Sequence, residues 1–155
     1  MAINGALVLL LEDEPLISMD LETVLSAAGL DVTTVMSCIE ANAWLDRQSP
    51  DVVIVDIELR DGPCTAVLAR VLDANIPFVV HTGSHPSYHA GTLFERGAWV
   101  EKPATPDELL QAVKAALHTR NRPDVSRDSA IKDFNPAKSY LSWGHATVNQ
   151  DWSEL

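Results

Sequence analysis

Between Asp51 and Asp56 the chain reads Val-Val-Ile-Val, four β-branched residues with no polar interruption. Such a run suits a strand buried on both faces, and that burial is the mark of a parallel sheet covered by helices. Asp56 closes the run, just before Ile57-Glu-Leu-Arg-Asp-Gly62 turns away. A carboxylate at that place emerges at the carboxyl edge of the sheet, where open α/β sheets bind their ligands. Asp also commonly caps such a turn, so Asp56 alone decides little.

The same pattern recurs along the chain. Ala6 to Leu11 is another apolar run, and it ends in Glu12-Asp13-Glu14-Pro15. Pro15 fits the first position of a helix, and the acids beside it suit the positive end of the helix dipole. Ile17, Leu21, Val24, Leu25 and Ala28 follow at helical spacing, with Gly29 as the stop. A strand over 31–36 and a helix over 38–48 come next, the latter with Ala41, Trp44 and Leu45 inward and Ser49-Pro50 as its break. Beyond Gly62 a helix buries Val67, Leu68, Val71 and Leu72. A strand over 77–82 ends in Thr82 and Gly83, and a weak, short, mobile helix is expected over 84–96, where Pro86 and Gly91 interrupt it. A short strand over 98–101 leads to Lys102-Pro103. Thr105-Pro-Asp-Glu108 is a capping box that opens a final helix with Leu109, Val113, Ala116 and Leu117 inward. Five strands alternating with helices predict a doubly wound α/β domain over 1–120. Residues 121–155 mix Pro, Ser, Asp and Asn with scattered aromatics, and read as a tail, disordered or partly helical.

With 155 residues, 46% of them hydrophobic, the chain can bury one core. A net charge of −11 argues against nucleic-acid binding, which needs clustered cations. No apolar run is long enough for a membrane span, and no leader peptide is evident at the N-terminus. Cys38 and Cys64 are too few for a disulfide framework and read as small buried or surface residues; a reducing cytoplasm fits. His81, His85 and His89 recur at intervals of four, but Gly83 and Pro86 break any helix that would gather them, so they read as loop residues. The Asp56-Ile-Glu58 spacing faintly matches the nucleophile motif of haloacid-dehalogenase-like phosphatases, which needs a second Asp where this chain has Glu.

Glu12, Asp13, Asp56, Thr82 and Lys102 all close strands, so one sheet edge gathers an acid cluster, a hydroxyl and a lysine. Over roughly residues 5–120, in order and spacing, this resembles the response-regulator receiver domain, specifically the single-domain, CheY-like kind. The resemblance implies a flavodoxin-like five-stranded parallel sheet of order 2-1-3-4-5, with helices on both faces. It makes Asp56 the phosphoacceptor and Mg²⁺ the cofactor. The metal would be held by Asp13, Asp56 and the Glu58 backbone carbonyl, with Glu12 acting through a water. Thr82, Gly83 and Lys102 would receive the phosphoryl oxygens, with a cis bond expected at Pro103. Trp99, three residues before the lysine, stands where the family has a rotating Tyr or Phe, and its size departs from that pattern.

The chemistry of these residue types agrees. Phosphoryl transfer asks for positioning and charge neutralisation more than for covalent help. Hard oxygen ligands suit Mg²⁺, and a lysine supplies a point charge. The expected protein is a cytoplasmic, stand-alone switch that takes its phosphoryl group from a sensor histidine kinase or a histidine phosphotransfer protein. It is expected to be a monomer or a phosphorylation-linked dimer, with an unidentified protein target on the face of the fourth helix, fifth strand and fifth helix. Catalysis would be limited to its own phosphorylation and slow dephosphorylation. The competing readings are a phosphorylation-independent interaction module and a Mg²⁺-dependent phosphohydrolase.

Overall fold

The computed structural model describes residues 3–120, and the expected tail over 121–155 lies outside the described residues. Five strands, β1 (Leu7–Leu11), β2 (Asp31–Val35), β3 (Val52–Val55), β4 (Phe78–Thr82) and β5 (Ala98–Glu101), form one sheet. Their order is β2-β1-β3-β4-β5, and every pairing is parallel. Among the described residues α1 (Pro15–Ala27), α2 (Cys38–Leu45) and α3 (Thr65–Asp73) connect the first four strands in turn, and α4 (Pro106–Arg120) follows β5. This is the CheY-like, flavodoxin-like arrangement.

The period of two along each strand divides the core into two layers. Leu9, Leu11, Val53, Val55, Phe78 and Val80 pack with Ala41 and Trp44 of α2 and Val67, Leu68 and Val71 of α3. Val8, Leu10, Val52, Ile54 and Val79 pack on the other face with Leu21 and Leu25 of α1 and Leu109 and Val113 of α4. β3 lies at the centre and is buried along its whole length. Each such side chain contributes roughly 1.5–3 kcal/mol on leaving water, so β1, β3 and β4 form a rigid base beneath their carboxyl ends.

Helix ends follow local chemistry. Pro15 occupies the first turn of α1. The Ser37 side chain accepts from the Glu40 amide at the start of α2. The capping box is reciprocal: the Thr105 amide donates to Glu108 Oε2 at 2.6 Å and the Glu108 amide to Thr105 Oγ1 at 3.3 Å.

Two expectations need correction. No α-helix forms over 84–96; the chain makes two 3₁₀ turns, Pro86–His89 and Leu93–Arg96. Pro86 lacks a donor, and Gly91 takes φ +77°, which breaks the helical path between the turns. Burial of Phe94 fastens the second turn to the core. The expected face of fourth helix, fifth strand and fifth helix is therefore built from these turns, β5 and α4. Second, Cys38 and Cys64 are joined by a disulfide, with Cα atoms 5.2 Å apart. Packing of α2 beside the β3–α3 loop brings together residues 26 apart in sequence. The cysteines therefore give no support to a reducing compartment. Among the described residues no helix is long and apolar enough to cross a membrane.

Candidate functional site

The backbone ladder places the acids before any side-chain contact is considered. The Glu12 amide donates to the Val35 carbonyl and the Asp56 amide to the Leu11 carbonyl, both at 3.1 Å. The sheet thus sets these residues one step past adjacent strand ends. On the other side, the Lys102 amide donates to the Thr82 carbonyl at 2.8 Å, fixing the start of the segment after β5. The Lys102–Pro103 peptide bond is cis.

Lys102 Nζ lies 2.8 Å from Glu12 Oε2 and 2.8 Å from Asp56 Oδ2. Glu12 is 1% exposed and Asp56 4%, so these ion pairs sit in a medium that screens poorly. The other oxygens are also engaged: the Glu14 amide donates to Glu12 Oε1 and the Glu58 amide to Asp56 Oδ1. Burial pushes the Glu12 carboxyl above its ordinary value, outweighing the opposing pull of Lys102. Burial alone would lower the Lys102 ammonium, but its hydrogen bonds to Asp56 and Glu12 outweigh that and hold it above the usual lysine value.

Asp13 completes the cluster. Glu12, Asp13 and Asp56 each offer a carboxylate oxygen within 4.8 Å of the others. Three carboxylates gather where only the half-buried Lys102 ammonium pairs with two of them, and this excess of negative charge favours a further cation. All three are hard oxygen donors, so the set fits Mg²⁺. Asp13 Oδ2 accepts from the Arg60 amide at 3.0 Å, and the exposed Arg60 guanidinium lies 3.5 Å away. Arg60 was not singled out from sequence, where only a cation four residues after Asp56 could have pointed to it. Its amide ties the β3–α3 loop to the acid pair after β1.

Thr82 is fully buried, and its Oγ1 accepts from the Ser84 amide at 3.4 Å. That leaves the hydroxyl proton free for another acceptor. A Cβ at Gly83 would meet only Glu58 Oε2, at 3.5 Å, so the approach there is open. Trp99 is half-buried. Its indole Nε1 is buried without a partner, and its ring lies against His89, centroids 5.6 Å apart.

The three histidines do not converge. His85 Nδ1 pairs with Ser87 and His89 Nε2 with Ser84 Oγ, each at 2.8 Å. His81, read from sequence only as the end of a strand, is 4% exposed with Nδ1 unpartnered. It borders a cavity of about 410 Å³ between Leu21 of α1 and Pro103 and Pro106 at the start of α4. Burial, reinforced by the charge on Lys102, lowers the His81 imidazole to about 4. A second ligand-like group, Cys38, Asp61 and Cys64, holds its two sulfurs in the disulfide.

An order 2-1-3-4-5 parallel sheet with acids after β1 and β3, a hydroxyl on the last residue of β4 and a lysine after β5 defines a receiver domain. Residues 8–114 match the family described as response regulator receiver domain. The chain belongs to that family, the receivers of two-component systems. It is similar to a probable transcriptional regulator, ycf27, of Guillardia theta, 33% identical over 137 residues that cover 83% of this chain and 53% of that protein. The chain spans about half the length of the first curated relatives it matches. Among solved structures, it is similar to a putative response regulator from Chloroflexus aurantiacus (30% identity, TM-score 0.64, covering 74% of this chain and 99% of that one). It is also similar to the receiver domain of a Pseudomonas aeruginosa sensor histidine kinase, solved with a magnesium ion coordinated in the active site cleft (25% identity, TM-score 0.63, 74% and 98% covered).

Proposed function

We propose that this receiver accepts a phosphoryl group on Asp56 from a phosphohistidine of a sensor kinase or phosphotransfer protein, and thereby switches protein contacts. The observation that carries the reading is Lys102 Nζ bridging Glu12 and Asp56, with Asp13 beside them. A carboxylate oxygen of Asp56 attacks phosphorus as the P–N bond of the donor breaks and its electron pair returns to the ring nitrogen; with a proton on the other ring nitrogen, an acyl phosphate is left here and a neutral histidine there. Lys102 moves its hydrogen bond from the Asp56 oxygen to the incoming phosphoryl oxygen, keeping the charge paired. Thr82 donates its free proton to another phosphoryl oxygen, and Gly83 leaves the path clear. Asp13, Asp56 and the Glu58 carbonyl are the groups that would hold Mg²⁺, with Glu12 reaching it through a water. When bound, the ion supplies positive charge that offsets the approach of an anionic donor to an anionic nucleophile.

Movement of Thr82 toward the phosphoryl group vacates space behind it, and Trp99, whose indole N–H is unsatisfied where it stands, is the side chain placed to respond. The output face is the pair of 3₁₀ turns with β5 and α4.

Mg²⁺ titration followed by tryptophan fluorescence tests the metal half of this reading. Asp13→Asn is expected to weaken Mg²⁺ binding by more than about tenfold, since a unit charge within a few ångström of the ion is lost. Asp56→Asn should do likewise. Identical isotherms for the wild type and both variants would count against the site.

A further inference from the structure

We propose that Cys38 and Cys64 are a reversible thiol–disulfide pair that fastens and releases the loop carrying Asp56. The regulatory consequence rests on the reading of Asp56 given above; the thiol chemistry does not. Cys38 is the first residue of α2, and Cys64 directly precedes α3. The ring closed by their bridge contains β3, Asp56 and the whole segment from Ile57 to Pro63. Asp61, in that segment, accepts from the amides of Cys38 at 2.8 Å and Ile39 at 3.3 Å. The loop is therefore held to the start of α2 at two points, one covalent and one an exposed hydrogen-bonded contact. From the same loop the Glu58 amide holds Asp56 and the Arg60 amide holds Asp13. Cys64 follows within a few residues the two amides that hold these carboxylates.

Two features favour exchange over permanence. Cys38 is half-buried and within reach of a small thiol, whereas Cys64 is 5% exposed, so attack falls on the Cys38 sulfur. Cys64 also holds φ at +46°, a left-handed backbone that a side chain other than glycine adopts at a cost. A half-buried sulfur at Cys38, bridged to a cysteine on a left-handed backbone, leaves the bond open to thiol exchange.

The exchange balances with glutathione. On closing, the two thiols give up two protons and two electrons, one protein S–S bond forms, and the S–S bond of glutathione disulfide breaks to give two glutathione thiols. On opening, a glutathione thiolate attacks Cys38 Sγ and Cys64 leaves as thiolate; a second glutathione resolves the mixed disulfide. With the bridge closed, the Glu58 carbonyl and Asp56 are already ordered for a metal and a donor. With it open, that ordering must be supplied during binding.

The experiment uses the full chain equilibrated in glutathione buffers from reducing to oxidising, with thiols trapped and counted by mass. Hydrogen exchange over 57–64, Mg²⁺ affinity and the rate of phosphorylation by acetyl phosphate are then read on both forms. The expected result is one two-electron transition within the glutathione range. Exchange over 57–64 should be at least about tenfold faster in the reduced form, as for a local opening that loses its covalent tether. Phosphorylation should be at least about threefold slower, the loop ordering now being paid on binding. Cys38→Ser should match reduced wild type, which itself gives the comparison without any substitution. A bridge untouched by reduced glutathione, or equal exchange in both forms, overturns the proposal. Equal phosphorylation rates overturn it while leaving Asp56 as acceptor. Failure of both forms to take a phosphoryl group overturns the Asp56 reading and the regulation built on it.

Discussion

Lys102→Met is expected to lower the unfolding free energy at pH 7, without Mg²⁺, by about 3 kcal/mol or more. Methionine keeps the unbranched stem as far as Cε and removes the ammonium that lies between Glu12 and Asp56. Two carboxyl groups, 1% and 4% exposed, would then face each other uncompensated. Pairing holds the folded-state Lys102 above its ordinary 10.5, so its stabilisation is complete at neutral pH and lost only as pH rises through that higher value. Glu12 acts with the same sign in a lower pH window. Its folded-state carboxyl lies above 4.5, so ionisation opposes folding as pH rises from 4.5 through the folded value. Losing Lys102 strengthens that opposition, and the deficit of the variant should shrink in urea titrations at pH 5. A deficit independent of pH would mean that the lysine stabilises through packing rather than charge.

Acid should destabilise the fold through His81, and His81→Leu should remove the effect. The imidazole has a folded-state value of about 4 against 6.5 when free. As pH falls, the unfolded chain takes the proton first, so stability present above 6.5 is lost between 6.5 and 4. By pH 4 the loss is about 3 kcal/mol, from 1.36 kcal/mol per unit. Leucine cannot titrate, so the variant should show a flatter limb over that window in denaturant titrations at pH 7, 5.5 and 4.5. An unchanged limb would place the acid sensitivity elsewhere. Glu12 tilts the wild-type curve the other way near pH 4.5, so the two substitutions separate opposing contributions at one sheet edge.

What could be read from sequence follows from what is local. The run at Val52 to Val55 announces its strand because burial on both faces excludes polar residues, and Asp56 is conspicuous against it. Pro15, Gly29 and the Thr105–Glu108 box mark helix ends by backbone chemistry that needs no tertiary context. Pro86 and Gly91 weakened the expected helix over 84–96, but the burial of Phe94 that holds the second 3₁₀ turn depends on the core and was not visible. Long-range pairings were hidden for the same reason. Cys38 and Cys64 are 26 residues apart, and Asp13 and Arg60 47 apart; only the packing of α2 and the β3–α3 loop joins them. His81 looks like an ordinary strand end, because alternation alone does not say that its Nδ1 goes unpaired beside α1 and α4.

The most direct test of the central claim is the intact mass of the chain after incubation with acetyl phosphate and Mg²⁺, beside Asp56→Asn and an EDTA control. One added phosphoryl group that disappears in both controls is the predicted result. A phosphoryl group that persists in Asp56→Asn, or no addition in wild type with either acetyl phosphate or a phosphorylated histidine donor, would contradict it.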